Sequence, residues 1–325
     1  MKAFKRLISL ALIFFILISM VSGCGESSLS TNENRLKIKV IVKKKDADFF
    51  SVVKMGSETA GKEFNIDVQY DGPENEKDIE NQIKMVDQAI SDQFNAIVLA
   101  AADYNKLAPV VEKAANQNIP VIIIDSQLNS DRIKSFIGTD NQDAGIKLGN
   151  TLVKRIGTKC RIAVMNFMKG AASSDQREKG IYQVLEKYPQ INVVSNMYCN
   201  SDEEIAYQLI KKVVKENPDI DAILCTNAYG AVGTARAIES ENLSGKIRII
   251  GLDSTPEQVD FLENGVIEAL VIQNPFNMGY LGVRYALDSI YNKPVLESYN
   301  TGLTIIDKDN MYLPENEKLV FPFSE

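Results

Sequence analysis

GSETAGKE, Gly56 to Glu63, meets every position but the last of the phosphate-loop pattern G-x-x-x-x-G-K-[ST]. Glu63 stands where a Ser or Thr hydroxyl would ligate Mg²⁺, and its carboxylate would repel a triphosphate. A phosphate loop also works only directly after a strand, where backbone N–H groups are free to cradle phosphates before a helix begins. Here Phe49, Val53, Gly56, Ala60 and Phe64 recur at spacings of four, three, four and four, which is one face of a helix running through the motif. The preceding strand ends near Val42, well upstream, and a helix interior has no free N–H groups to offer. GSETAGKE is therefore read as a helix interior whose small residues Gly56, Ala60 and Gly61 let it pack closely on a sheet.

That reading makes the segment one unit in a longer alternation. Strand candidates are LKIKVIV, IDVQY, AIVLAA, PVIIID, SFIG, RIAVMNF, INVVSNM, AILCT, IRIIGLD and EALVIQ. Many are continuous apolar runs, as expected of strands buried on both faces of a parallel sheet. Between them, Ile79, Ile83, Val86 and Ile90, and again Ile205, Leu209 and Val213, carry the helical period. Repeated β-α units predict a doubly wound α/β architecture.

Composition narrows the chemistry. The 325 residues are 45% hydrophobic, enough for a large core and about two domains. Net charge is −7, more negative still without Lys2, Lys5 and Arg6, so the surface disfavours nucleic acid. There is no His and no Trp, which removes Ser-His-Asp and Cys-His catalysis and His-ligated metal sites. No catalytic residue, metal site or cofactor is expected.

The first residues read as a targeting segment: a basic start, an apolar run from Leu7 to Val21, then VSGC ending at Cys24. This resembles a bacterial lipobox, in which small residues admit a peptidase and the new N-terminal Cys24 carries lipid. Residues 1–23 are expected to be a lipoprotein signal peptide and 24–35, rich in Ser and Asn, a flexible tether. Cys160, Cys199 and Cys225 show no C-x-x-C pair and are expected as buried thiols.

In open α/β sheets ligands bind beyond the carboxyl ends of the strands. Those positions hold Asp125, then Thr139, Asp140 and Asn141, then Asn227, Asp253 and Gln273. Arg177 opens the helix after RIAVMNF, and Phe49 and Phe50 begin the first helix. Such a set suits a polyhydroxylated ligand: Asp accepts from hydroxyls, Arg donates in a fork, Asn and Gln do both, and an aromatic face covers the C–H side of a sugar ring. Each Asp, Thr or Asn at a strand end is equally a candidate helix cap, and one of the two phenylalanines is expected in the core. The run Lys43–Lys45 reads as a solvated basic turn; a lysine turned inward would instead suit an acidic or phosphorylated ligand.

From Leu36 to about Thr304 the chain resembles the sugar-binding proteins of ABC importers, the ribose-type branch of the type I periplasmic-binding-protein family. The resemblance is carried by DADFF, NIPVIIIDS, FIGTDNQDAG, REKGIYQVL, DAILCTNAYGAVGTARAI, IRIIGLDSTPE and ALVIQNPFNMGYLGV, in that order. It implies two doubly wound parallel-sheet lobes joined by a three-segment hinge near Thr139/Asp140, Gln273/Asn274 and Gly302. Residues 36–139 and 274–302 would form the N-lobe, and 140–273 and 303–325 the C-lobe. It carries ligand-binding roles onto Phe49, Phe50, Asp125, Thr139, Arg177, Asn227, Asp253 and Gln273. Ala47, Ala100, Ser126, Asn200 and Ala228 depart from the ribose type, which thins the polar lining.

The function implied is an extracytoplasmic, lipid-anchored protein that closes around a monosaccharide, a pentose or a relative, and delivers it to an ABC permease. The same module could dock on a membrane histidine kinase or chemoreceptor. A glycosidase using Asp125 and Asp253 as acid and base ranks behind both, because Arg, Asn and Gln balance the two carboxylates. Cytoplasmic repressors share the lobe fold but carry a DNA-binding helix-turn-helix where this chain has an export signal.

Overall fold

The computed structural model describes residues 35–323; the leader, the lipidation candidate Cys24 and most of the tether lie outside them. The ten strands expected from sequence are present as β1 (Lys37–Ile41), β2 (Asp67–Asp71), β3 (Ala96–Leu99), β4 (Val121–Ile124), β5 (Ser135–Gly138), β6 (Cys160–Asn166), β7 (Ile191–Tyr198), β8 (Ala222–Cys225), β9 (Arg248–Leu252) and β10 (Ala269–Ile272). Two further strands, β11 (Ser298–Asn300) and β12 (Thr304–Ile306), carry no apolar run.

Two six-stranded sheets result. One has the order β11-β5-β4-β3-β1-β2 and the other β12-β10-β9-β8-β6-β7, so the halves repeat one topology. All pairings are parallel except β10 with β12. Strands β3, β4, β8 and β10 are buried along their whole length, as their unbroken apolar sequences require, and so is β5, SFIG. Their alternating side chains feed opposite faces: Val121 and Ile123 join one cluster, Ile122 and Ile124 another. Each sheet thus has an apolar core on both sides, clad by helices.

The helices are α1 (Asp48–Glu63), α2 (Ile79–Ser91), α3 (Ala108–Asn116), α4 (Asn141–Arg155), α5 (Ala172–Leu185), α6 (Glu203–Glu216), α7 (Ala228–Ser240), α8 (Pro256–Glu263), α9 (Pro275–Ile290) and α10 (Pro314–Val320). GSETAGKE lies inside α1, as its periodicity required. Its first glycine faces a helix rather than a sheet: a Cβ on Gly56 would stand 2.1 Å from the Phe276 carbonyl oxygen in α9. Gly61 does face the sheet, against Val68 in β2. The second lobe repeats the device between α4 and α5, where a Cβ on Gly145 would lie 2.0 Å from the Arg177 carbonyl oxygen. That close approach fixes where α5 holds Arg177.

The chain passes from one sheet to the other three times: from β5 into α4, from β10 into α9, and between β11 and β12 through Gly302. Gly302 has φ of +82°, a left-handed conformation that glycine adopts without strain. Cys160, Cys199 and Cys225 are buried free thiols.

Candidate functional site

The carboxyl ends of both sheets face each other across a cleft. A cavity there has about 420 Å³ of empty space including its mouth. Lys43, Ala47, Phe49, Phe50, Glu76 and Asp125 line it from the first lobe; Phe167, Ser173, Arg177, Asn227, Ala228, Tyr229, Asp253 and Gln273 complete it. Seven of the eight residues singled out from sequence therefore meet in one place. Thr139 does not line this cavity; it borders a separate one beside Gln127 and Asn300, with its buried hydroxyl unpartnered.

Asp125 follows β4 directly and has φ of +62°, with the Ser126 N–H donating to the Ile124 carbonyl at 2.7 Å. A non-glycine residue in this tight turn stores backbone strain, which the flanking strands over-determine. The turn aims the Asp125 carboxylate into the cleft, where the Lys43 ammonium meets it at 2.6 Å. Lys43 is only 3% exposed, so the expectation of a solvated Lys43–Lys45 turn fails at its first residue. The physical reason is the partner: a buried ammonium is tolerated when a carboxylate and a further acceptor, here Ser173 Oγ at 3.3 Å, surround it. Lys44 lies over the Tyr229 ring at 4.6 Å, and Lys45 is exposed. Since Asp125 answers the inward charge, Lys43 is no free cation for a phosphate.

The opposite wall is built around Arg177. Its Nε donates to Asn141 Oδ1 at 2.8 Å, one guanidinium nitrogen donates to the Thr226 carbonyl at 2.9 Å, and the group sits 5.5 Å from the centre of the Phe167 ring. Burial pulls the Arg177 pKa down, while the carboxylates of Asp253, Asp125 and Glu76 pull it up. Asp253, with φ of +78°, accepts from Gln273 Nε2 at 2.7 Å. Burial pushes its pKa up to about 6, opposed by Arg177, Gln273 and the Ala228 N–H. The Gln273 Oε1 atom is buried and has no hydrogen-bond partner among the described residues.

The helix-cap alternatives divide cleanly. Asp140 caps α4, and Asn227 caps α7 by accepting from the Gly230 N–H while also lining the cavity. Asp253 is not a cap: Thr255 and Gln258 form the capping box of α8. Phe50 is buried in the core of the first lobe and Phe49 packs on it edge to face, with centroids 5.2 Å apart. Phe49 keeps partial exposure toward the cavity. Sequence reasoning missed Lys43, Glu76, Phe167, Ser173 and Tyr229. For Lys43 the strand-end rule itself was the available signal, masked by the two identical neighbours.

A family model described as a periplasmic binding protein domain matches residues 38–294. The chain belongs to the periplasmic binding protein family. This is an extracytoplasmic family of solute-binding proteins of ABC importers, not of enzymes, which retires the glycosidase alternative. Among its relatives, the D-allose-binding periplasmic protein of Escherichia coli (strain K12) is 26% identical over 258 residues, spanning 77% of this chain and 83% of that one. A carbohydrate transporter solute binding protein from Agrobacterium radiobacter, solved with D-arabinose, superimposes with a TM-score of 0.86 at 30% identity, covering 89% of this chain and 99% of its own. An ABC transporter solute binding protein from Agrobacterium vitis with bound D-fucose gives a TM-score of 0.85 at 32% identity, covering 87% and 99%.

Proposed function

We propose that this protein is a lipid-anchored receptor for a small neutral monosaccharide, which it holds between its lobes and presents to an ABC permease. The observation that carries the ligand class is the charge balance of the cleft. Two cations, Lys43 and Arg177, face three carboxylates, Asp125, Asp253 and Glu76, so the site offers donors and acceptors in abundance and no uncompensated positive charge. A neutral polyol matches such a site; a sugar phosphate or uronate would face carboxylates on both walls. The relatives described with D-allose, D-arabinose and D-fucose support the same class.

In this reading Asp125 and Lys43 contact hydroxyls from the N-lobe, and Arg177, Asn227, Asp253 and Gln273 from the C-lobe. Phe49, braced by Phe50, covers the apolar ring face. The moving bodies are residues 36–139 with 274–302 and 140–273 with 303–325, and Thr139 serves at the hinge. A ligand that touches both bodies only when they close shifts the population toward the closed form. Cys24 would carry the lipid that holds the tethered receptor at the membrane.

A thermal-shift screen against pentoses, hexoses, inositols and sugar phosphates tests the ligand class. A true ligand at about 100 times its dissociation constant adds about 2.7 kcal/mol of stability. Stabilisation by phosphorylated or acidic sugars alone would overturn the proposal.

A further inference from the structure

Helix α5 begins without a cap of its own, because Ala171 at its N-cap position has no side-chain oxygen to accept from the first-turn N–H groups. The Ser173 N–H donates instead to Ser126 Oγ at 3.3 Å, and Ser126 belongs to the other lobe. The Ser126 hydroxyl in turn reaches Ser173 Oγ at 3.2 Å, and Ser173 Oγ also accepts from the Lys43 ammonium. All of this is dry: Ser126 is 0% and Ser173 1% exposed. The strained turn at Asp125 holds Ser126 where it crosses the cleft.

We propose that Ser126 and Ser173 form a latch, a helix cap supplied in trans, which makes closure of the lobes and orientation of Lys43 a single event. This rests on the lobe closure proposed above. With the lobes apart, the Ser173 N–H is left to water and Lys43 keeps only Asp125. With the lobes closed, Ser126 caps α5, and Ser173 fixes two of the three ammonium donors by completing the acceptor pair around Lys43. The third donor is left for the ligand. The latch therefore favours closure before any sugar arrives, and it acts on every ligand alike. Its loss lowers the closed fraction and so weakens all apparent affinities by one common factor.

The test uses the full chain without lipid and two variants, Ser126→Ala and Ala171→Ser. The second gives α5 a cap in its own lobe, so the helix no longer gains one on closing. Ligand-free solution scattering should show both variants more expanded than wild type. Calorimetry with D-ribose, D-allose and D-arabinose should show Ser126→Ala binding whichever of these the wild type binds more weakly by a shared factor, about threefold to thirtyfold, with their ratios unchanged. Ala171→Ser should lose closed population without losing melting temperature. Ligand-free scattering of Ser126→Ala that superimposes on wild type would overturn the latch. So would a loss confined to one sugar, which would make Ser126 a ligand contact. If wild type binds a sugar without compacting, the closure reading fails instead, while the ligand-free comparison still decides the latch.

Discussion

Asp125 and Asp253 are counterparts: each follows the corresponding strand of its sheet, β4 or β9, and each has positive φ, +62° and +78°. Their N–H groups make the same bond, to the Ile137 carbonyl at 3.1 Å and the Val271 carbonyl at 3.0 Å on the next strand. The Lys43 ammonium pairs with the Asp125 carboxylate at 2.6 Å, and the charge of Arg177 favours the ionised Asp253 without a direct ion pair. The cleft is thus lined by one duplicated device, an aspartate held by a strained turn opposite a cation. Strain of this kind persists where the surrounding structure over-determines it, and here it fixes two acceptors on facing walls.

The capping box at Thr255 separates binding from folding on this wall. Arg177→Ala and Asp253→Ala should each weaken sugar binding at least about tenfold, since an unpaired partner in a dry site costs about 1–3 kcal/mol. Thr255→Ala should lose about 1 kcal/mol of stability and leave affinity within twofold. Calorimetric titration and ligand-free melting of the three variants decide it, and wild-type affinity in both Arg177→Ala and Asp253→Ala would refute the assigned wall.

Lys43→Met strands Asp125 without its cation. Binding of the screened sugar should fall by about tenfold or more, and Lys43→Met with Asp125→Asn should regain lost stability but not affinity, because the charge is then balanced while the donor stays absent. Wild type should bind the corresponding sugar phosphate more weakly than the sugar itself, because the phosphate would face carboxylates on both walls. Preferential binding of the phosphate by wild type would make Lys43 a phosphate ligand.

Strands β3, β4, β8 and β10 were legible because burial on both faces demands continuous apolar runs, and β11 was not, since a three-residue edge strand such as Ser-Tyr-Asn needs no such run. Asp125 and Asp253 were legible from the strand-end rule, which concerns topology alone. Thr139 obeyed the same rule and still lines another cavity, because the rule places a backbone and does not aim a side chain. Lys43 was hidden among identical neighbours, and only a tertiary partner distinguishes the lysine that turns inward. Ser126 and Ser173 were beyond reach for the same reason: 47 residues apart in sequence, they meet only when two lobes are assembled.

Cys24→Ser should release the protein from membranes into the soluble fraction, since lipidation requires the thiol and the sequence that follows, GESSLSTNENR, is polar. Fractionation with membranes at the wild-type level would refute the lipobox reading.

Two substitutions within GSETAGKE should behave in opposite ways. Gly56→Ala places a methyl where the α9 backbone already stands, so α1 and α9 must separate at a cost of about 1–3 kcal/mol. Lys62→Ala alters an exposed side chain and should change stability by less than about 0.5 kcal/mol, with sugar binding intact. Neither protein should turn over ATP. Turnover in wild type that Lys62→Ala abolishes would restore the phosphate loop.

The pH dependence of binding should run against that of stability, and Asp253 is the cause. Its pKa in the folded protein, about 6, lies above the ordinary 3.8 because it is buried. Between those values the folded state holds more protons at this group than the unfolded chain does, so the group's contribution makes ligand-free stability rise as pH falls from 7 toward 4. Sugar binding uses the ionised carboxylate as an acceptor, and protonation removes it. Affinity should therefore decline as pH drops through about 6, by no more than about tenfold per unit. Asp253→Asn removes the titration, so the difference between wild type and this variant isolates Asp253 from other acids. The expected result is a wild-type affinity that falls from pH 7 to 5 while the variant's stays flat, with the wild-type melting temperature gaining on the variant's over the same range. Equal pH profiles for the two proteins would show that Asp253 does not titrate in this window.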